Sequence, residues 1–228
     1  MSFSSDTPKF RVAICGAGIG GLVLAVTIGK FAGRDVQVDL YEAHDAITTI
    51  GAGIMISRRT SAVLKALGLY EEISHVSMKP SASSHEQIRM SDIPEGGFEW
   101  FSPIVRQGNP VYRQHLVDIL KKHLPSSCMV HFNKRLTTYT KLPTGSLILH
   151  FADESSDNTD VLIGADGIRS SVRKTLFETI DRDLIDPSKI RHYTDPSWTG
   201  TLVYRAVVPV EKLLETDPNA TTLEDFIV

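Results

Sequence analysis

The chain is predicted to fold as an α/β protein, and three segments carry that prediction. The first is an apolar run, Val12-Ala13-Ile14-Cys15, passing into Gly16-Ala17-Gly18-Ile19-Gly20-Gly21. The second is Val36-Gln37-Val38-Asp39-Leu40-Tyr41, which closes on Glu42, and the third is Val161-Leu162-Ile163, broken by Gly164-Ala165-Asp166-Gly167. Short apolar runs bounded by glycine read as strands buried on both faces, the pattern of a parallel sheet. Such strands deliver their C-terminal ends to a ligand crevice.

The first two segments form one unit: strand, glycine turn, helix, strand, acid. Gly16 permits a tight turn, Gly18 lets backbone amides approach a pyrophosphate, and Gly21 lets the helix lie close to the strand. The helix offers its positive end to the phosphates. Glu42 stands about twenty residues beyond Gly21, where a ribose-binding carboxylate belongs. It would accept hydrogen bonds from ribose hydroxyls and repel a 2′-phosphate, so the unit suits FAD or NAD and disfavours NADP. The fold expected is therefore Rossmann-like.

The other elements follow in order. Gly20 to Phe31 has helical spacing, with Leu22, Val23, Leu24, Val26 and Ile28 making it apolar on most of its surface, as a helix packed on a sheet is. Arg58 to Leu69 places Val63, Leu64 and Leu67 on one face and stops near Gly68. From Val76 to Pro110 short alternating runs, Gln87 to Met90 and Phe98 to Phe101, divided by Pro94-Glu95-Gly96-Gly97, predict an antiparallel insertion. Arg113 to Leu124 is a helix with Leu116, Ile119 and Leu120 inward. Strands are expected at Met129 to Phe132, Leu136 to Thr140 and Ser146 to Phe151, then a polar loop from Asp153 to Asp160. Thr199 to Val208 alternates as a strand. These elements suggest one domain over residues 1–185, with its insertion, and the start of a second over 186–228.

Composition bounds the function. With 228 residues and 42% hydrophobic content the chain buries a sizeable core, and a net charge of −3 with scattered basic residues disfavours nucleic acid. No apolar run is long enough for a membrane span, and the first residues lack the pattern of a signal peptide, so a cytoplasmic protein is expected. Cys15 reads as a small core residue and Cys128 carries no assigned role. The eight histidines show no metal-ligand spacing, and no serine sits in a nucleophile-elbow pattern.

Asp166-Gly167 followed by Ser170 and Arg173 resembles the Asp-Gly motif of the class A FAD-dependent aromatic monooxygenases, in their salicylate hydroxylase-like branch. Gly51-Ala52-Gly53-Ile54 before a helix ending Ala66-Leu67-Gly68-Leu69 agrees, as does Tyr112-Arg113-Gln114-His115-Leu116. The resemblance runs from the first strand to about Arg205. It departs where many relatives have Ser-Pro-Asn and this chain has Ser57-Arg58-Arg59.

The resemblance implies FAD as cofactor, with Gly16, Gly18 and Gly21 on its pyrophosphate, Glu42 on the adenosine ribose, and Ala52 and Gly53 on the flavin side. Arg113 would lie over the cofactor, and Asp166 with Gly167 would approach both FAD and the path of NADH or NADPH. Arg169 and Arg173 would steer that donor's phosphates or lie in solvent. Arg205 would hold the carboxylate or phenolate of a small aromatic substrate. The implied reaction uses NADH or NADPH and dioxygen to hydroxylate or epoxidise that substrate. Relatives carry a further Gly-Asp segment, the rest of a substrate sheet and a closing helical region, so the resemblance implies an N-terminal portion. A non-catalytic FAD-binding protein and, behind it, an NAD-dependent dehydrogenase are the alternatives. Oligomeric state, substrate and the choice of NADH or NADPH are left open.

Overall fold

A computed structural model describes residues 9–32, 35–48, 53–77, 88–89, 99–101, 109–203 and 208–218. The chain runs β1 (Phe10–Cys15), α1 (Ile19–Phe31), β2 (Val36–Tyr41), β3 (Gly53–Ile56), α2 (Arg58–Leu67), α3 (Tyr70–Val76), then β4 (Ile88–Arg89), β5 (Glu99–Phe101) and β6 (Asn109–Tyr112). It continues through α4 (Arg113–Lys122), β7 (Cys128–His131), β8 (Leu136–Lys141), β9 (Leu147–Phe151), β10 (Ser156–Thr159) and β11 (Val161–Gly164), then α5 (Ser171–Thr179), α6 (Ile190–Thr194) and α7 (Val210–Thr216). Two compact units result, residues 1–49 with 116–202 and residues 50–115 with 203–228.

In the first unit the three apolar runs of the sequence become neighbours in one parallel sheet of order β11-β1-β2-β7. Ile14 stands level with Leu40 on one side and Ile163 on the other. Parallel neighbours need a crossover, and α1 supplies it, packing on β1 and β2 with Leu22, Ala25 and Val26 buried. Strand periodicity separates the side chains of Val12, Ile14, Val38 and Leu40 from those of Ala13, Cys15, Asp39 and Tyr41. The latter face meets the antiparallel sheet β10-β9-β8 through Leu136, Leu149 and Phe151. Tyr41 packs on Phe151 with ring centroids 4.8 Å apart. Leu149 is wholly buried there, and truncating such a side chain to alanine costs about 2–5 kcal/mol.

One charged side chain is buried in this otherwise apolar layer. Asp39 is 2% exposed and accepts from His131 Nε2 at 2.8 Å, from Arg11 Nη2 at 3.2 Å and from Gln37 Nε2 at 3.2 Å. Arg11 also donates to Asn158, and the Tyr41 hydroxyl donates to Asp157 at 2.8 Å. Burial, followed by the hydrogen bond to Asp157, pushes the Tyr41 phenol far above its ordinary range. A polar web thus stitches β1, β2 and β7 to β10, which is why a buried carboxylate is tolerated.

That web also explains a departure from expectation. The polar stretch expected as a loop at 153–160 contains strand β10, paired antiparallel with β9 from Ser156 to Thr159. Asp157 and Asn158 spend their side chains in the web, and the Thr159 hydroxyl lies within donating distance of the carbonyls of Arg11 and Val161. Hydrophobic alternation therefore cannot reveal it.

The second unit pairs β3 with β6 antiparallel, Gly53 level with Tyr112. Ser57 caps α2 by accepting from the Thr60 amide, and Gly68 ends the helix at φ 78°. Leu64 and Leu67 are buried as expected, whereas Val63 is 48% exposed, one residue and about 100° round the helix from Leu64. Of the antiparallel insertion expected over 76–110, the described residues include the β4–β5 pair, Ile88 level with Phe101. Of the strand expected over 199–208, Thr199 to Val203 and Val208 are irregular, and 204–207 lie outside the described residues. Among the described residues no helix is long and apolar enough to cross a membrane, and no cluster of three or more potential metal ligands forms.

Candidate functional site

The C-terminal ends of β1, β2 and β11 converge in the first unit around a cavity of ≈ 290 Å³. This is where strand order reverses direction about β1, and crevices at such a point receive ligands in open α/β sheets. The volume sits at the small end of ligand pockets, roughly 300–1,000 Å³, enough for part of an extended dinucleotide. Cys15, Gly16, Gly18, Glu42, Asp166 and Gly167 contribute to its wall.

The three glycines perform different tasks. Gly16 adopts φ 104° and donates its amide to the Tyr41 carbonyl at 2.8 Å, and a Cβ there would collide with the Ala165 carbonyl. A Cβ on Gly21 would strike the carbonyl oxygen of Gly16. Both therefore let backbone pack on backbone. Gly18, by contrast, has an ordinary φ of −67° and nothing within 4 Å of where a Cβ would stand. Its missing side chain leaves room on the cavity side. Gly18 is also the N-cap of α1, and no side chain caps that end or places an acid in its first turn. The positive end of α1 is left for an anion.

Glu42 follows β2 directly. Its Oε2 accepts from the Ala17 amide at 3.0 Å, and its Oε1 accepts from the His44 amide at 3.0 Å and from His44 Nδ1 at 2.8 Å. Burial by itself raises the carboxyl, but the His44 ring, the His44 amide and the Ala17 amide outweigh it and hold Glu42 below the usual carboxylate range. It is an anion at neutral pH, tied to the glycine loop. Burial, with the charge of Asp166 behind it, pushes the Cys15 thiol up to about 12, so Cys15 is an inert part of the wall.

Asp166 reaches the cavity from the other side. Its Oδ1 accepts from the Ser170 hydroxyl at 2.6 Å and its Oδ2 from the Val172 amide at 3.2 Å, while Ser170 Oγ accepts from the Arg173 amide at 2.9 Å. Asp166 and Ser170 thus jointly cap α5, which packs on β8 and β11. Gly167 turns the chain at φ 80°. Arg173 folds back, donating to the carbonyls of Ile168 and Thr194, whereas Arg169 is exposed and belongs to the cavity wall. Of the two arginines only Arg169 is presented outward.

Gly53 and Arg113 lie in the second unit. Gly53 opens β3, and its Cβ position is 3.5 Å from the Val111 carbonyl, an ordinary contact. Arg113 begins α4 directly after β6, half-buried, and its Nε is buried without a hydrogen-bond partner among the described residues. Ala52 and Arg205 fall outside the described residues. Sequence reasoning missed His44, Lys134 and Arg135, which also line the cavity. They are placed there by backbone pairing: Glu42 N–H donates to the His131 carbonyl, Asn133 N–H to His44 and Lys134 N–H to Glu42. Asn133 turns the chain at φ 56°, a conformation asparagine tolerates better than most residues. No local signal marks any of the three.

A parallel sheet, a glycine-lined crevice at its switch point and an ionised carboxylate directly after β2 are the features of an α/β dinucleotide-binding domain. The chain belongs to the FAD binding domain family, whose model matches residues 9–183. Among similar proteins, a salicylate hydroxylase of Pseudomonas putida is 32% identical over 217 residues, covering 93% of this chain and 46% of its own length. The 6-methylsalicylate 1-monooxygenase of Aspergillus terreus is 31% identical over 222 residues, covering 92% of this chain and 46% of its own. A solved salicylate hydroxylase substrate complex superposes with a TM-score of 0.58 at 28% identity, over 76% of this chain and 39% of that one. The chain spans about half the length of the curated relatives it matches.

Proposed function

We propose that the first unit holds FAD and serves an NAD(P)H- and O2-dependent monooxygenase acting on a small aromatic molecule. The observation that carries this is the pairing of an open Gly18 face at an uncapped helix end with the ionised Glu42 in one cavity. Gly18 admits the pyrophosphate to the α1 amides, and Gly16 and Gly21 hold the loop in shape for it. Glu42 accepts from the adenosine ribose. Asp166 and Gly167 present the chain toward the flavin side; Ala52, Gly53 and Arg113 keep the cofactor roles that the family resemblance implies for them, and the Arg113 Nε, without a partner among the described residues, suits a phosphate or hydroxyl acceptor. When bound, the flavin supplies the capacity to take electrons from NADH or NADPH and use dioxygen to insert one oxygen atom into an electron-rich ring.

The protein's part is to bind, orient and exclude water. Arg169, exposed on the turn before α5, is the residue here for steering the donor's phosphates, and Arg205 for holding a substrate carboxylate or phenolate. Rossmann-type dehydrogenase chemistry is the weaker reading, because the antiparallel layer β8–β10 stands where strand and helix would otherwise alternate.

An absorption spectrum of the purified, FAD-supplemented chain tests the proposal. Retained flavin bands after gel filtration support it, and a colourless protein with no FAD uptake refutes it. Incubation with FAD, NADH or NADPH, and a panel of salicylate and hydroxybenzoates, with mass analysis of products, tests the reaction separately.

A further inference from the structure

Glu42 is asked to do more than its lone pairs allow. A carboxylate offers about four acceptor sites. Three are filled within the protein: the Ala17 amide on Oε2, and both the His44 amide and His44 Nδ1 on Oε1. A ribose carrying both the 2′- and 3′-hydroxyls brings two more donors, one more than the remaining capacity. One of the present donors has to leave if both hydroxyls are to be satisfied.

The three donors differ in freedom to leave. Ala17 is 1% exposed in the glycine loop, between Gly16, whose amide is bonded to Tyr41, and Gly18, the cap of α1. The His44 amide belongs to a corner whose carbonyl accepts from the Asn133 amide and so continues the β2–β7 ladder. The His44 side chain is 69% exposed, and among the described residues its ring hydrogen-bonds to Glu42 only. Its Nδ1 carries the proton in this contact, since a carboxylate only accepts. His44 and Glu42 line the same cavity.

We propose that the His44 ring is an exchangeable stand-in for one ribose hydroxyl: it satisfies Glu42 in the free protein and swings to solvent when a nucleotide with an intact 2′,3′-diol docks. This rests on the assignment of Glu42 to the adenosine ribose. It makes His44 a competitor that sets affinity for the diol, distinct from a residue that merely holds Glu42 in place. A ligand with a single ribose hydroxyl needs only the one open site and leaves the ring where it is.

Calorimetric titration of the full chain with ADP and with 2′-deoxy-ADP tests the proposal. His44→Ala is expected to bind ADP about two- to tenfold more tightly than the parent, the range of one exchanged hydrogen bond. Its affinity for 2′-deoxy-ADP should be unchanged. His44→Asn, which restores a donor, should bring ADP binding back to the parent value. Unchanged or weaker ADP binding by His44→Ala would overturn the proposal, as would an equal gain for both nucleotides. A parent chain that bound neither nucleotide would instead remove the ribose assignment itself.

Discussion

Gly18→Val separates binding from folding, because the structure assigns the three glycines of the loop to different tasks. At Gly18 the backbone conformation suits any L residue and a Cβ meets nothing within 4 Å. Replacing glycine by a residue compatible with that conformation gains about 0.4–1 kcal/mol through the unfolded chain, offset by a poorer N-cap of about the same size. The net change in stability is thus expected within about 1 kcal/mol, a shift in Tm of about 2–4 °C for a chain of this size. FAD affinity should nevertheless fall at least a hundredfold, about 2.7 kcal/mol, because the side chain occupies the approach of the pyrophosphate to the α1 amides. Gly21→Ala is the control. The methyl group would overlap the Gly16 carbonyl oxygen, and forcing such a contact costs about 1–3 kcal/mol or more. Melting curves with flavin-fluorescence titrations would check both variants. Undiminished FAD binding by Gly18→Val, or a loss of stability matching that of Gly21→Ala, would refute the division of labour.

Glu42 sets an acid limit on binding. Its folded-state carboxyl lies below the ordinary value, so its contribution is complete above the ordinary carboxylate range and is lost as pH falls through the depressed value. FAD affinity of the parent, measured from pH 7 downward, should show that loss relative to Glu42→Gln, which should be weaker at neutral pH and lack this titration; parallel profiles would sink the assignment. Asp39→Ala should destabilise by about 2–3 kcal/mol, less than for a fully buried pair because Arg11 and His131 keep 32% and 25% exposure, and an unaltered Tm would show the web to be dispensable. Cys15, its thiol pushed up to about 12, should resist alkylation at pH 8 until the chain is unfolded, whereas rapid native labelling would contradict its burial.

Much of the fold was legible in the sequence for a definite reason. Strands β1 and β2 are largely buried and β11 is a partly exposed edge, yet all three keep apolar residues at most positions, and the glycine turn and following acid are local features at fixed spacing. The same locality made Gly16, Gly18, Gly21, Glu42 and the Asp166-Gly167 turn readable as candidates. Tertiary structure decided what depends on residues distant in the chain. Asp39 finds Arg11 28 residues away and His131 92 residues away, and β10, laddered to β9, has its polar side chains satisfied by partners on β1 and β2. Arg173 turns inward because the Thr194 carbonyl comes within reach, while Arg169 stays out. His44 and Lys134 enter the cavity wall through a backbone ladder that carries no side-chain signature. Even among the glycines, sequence spacing names all three alike, and only the atoms of Ala165 and Gly16 show which two serve packing and which one faces open space. Periodicity records burial along one element, whereas partnership between polar groups is settled where elements from far apart in the chain meet.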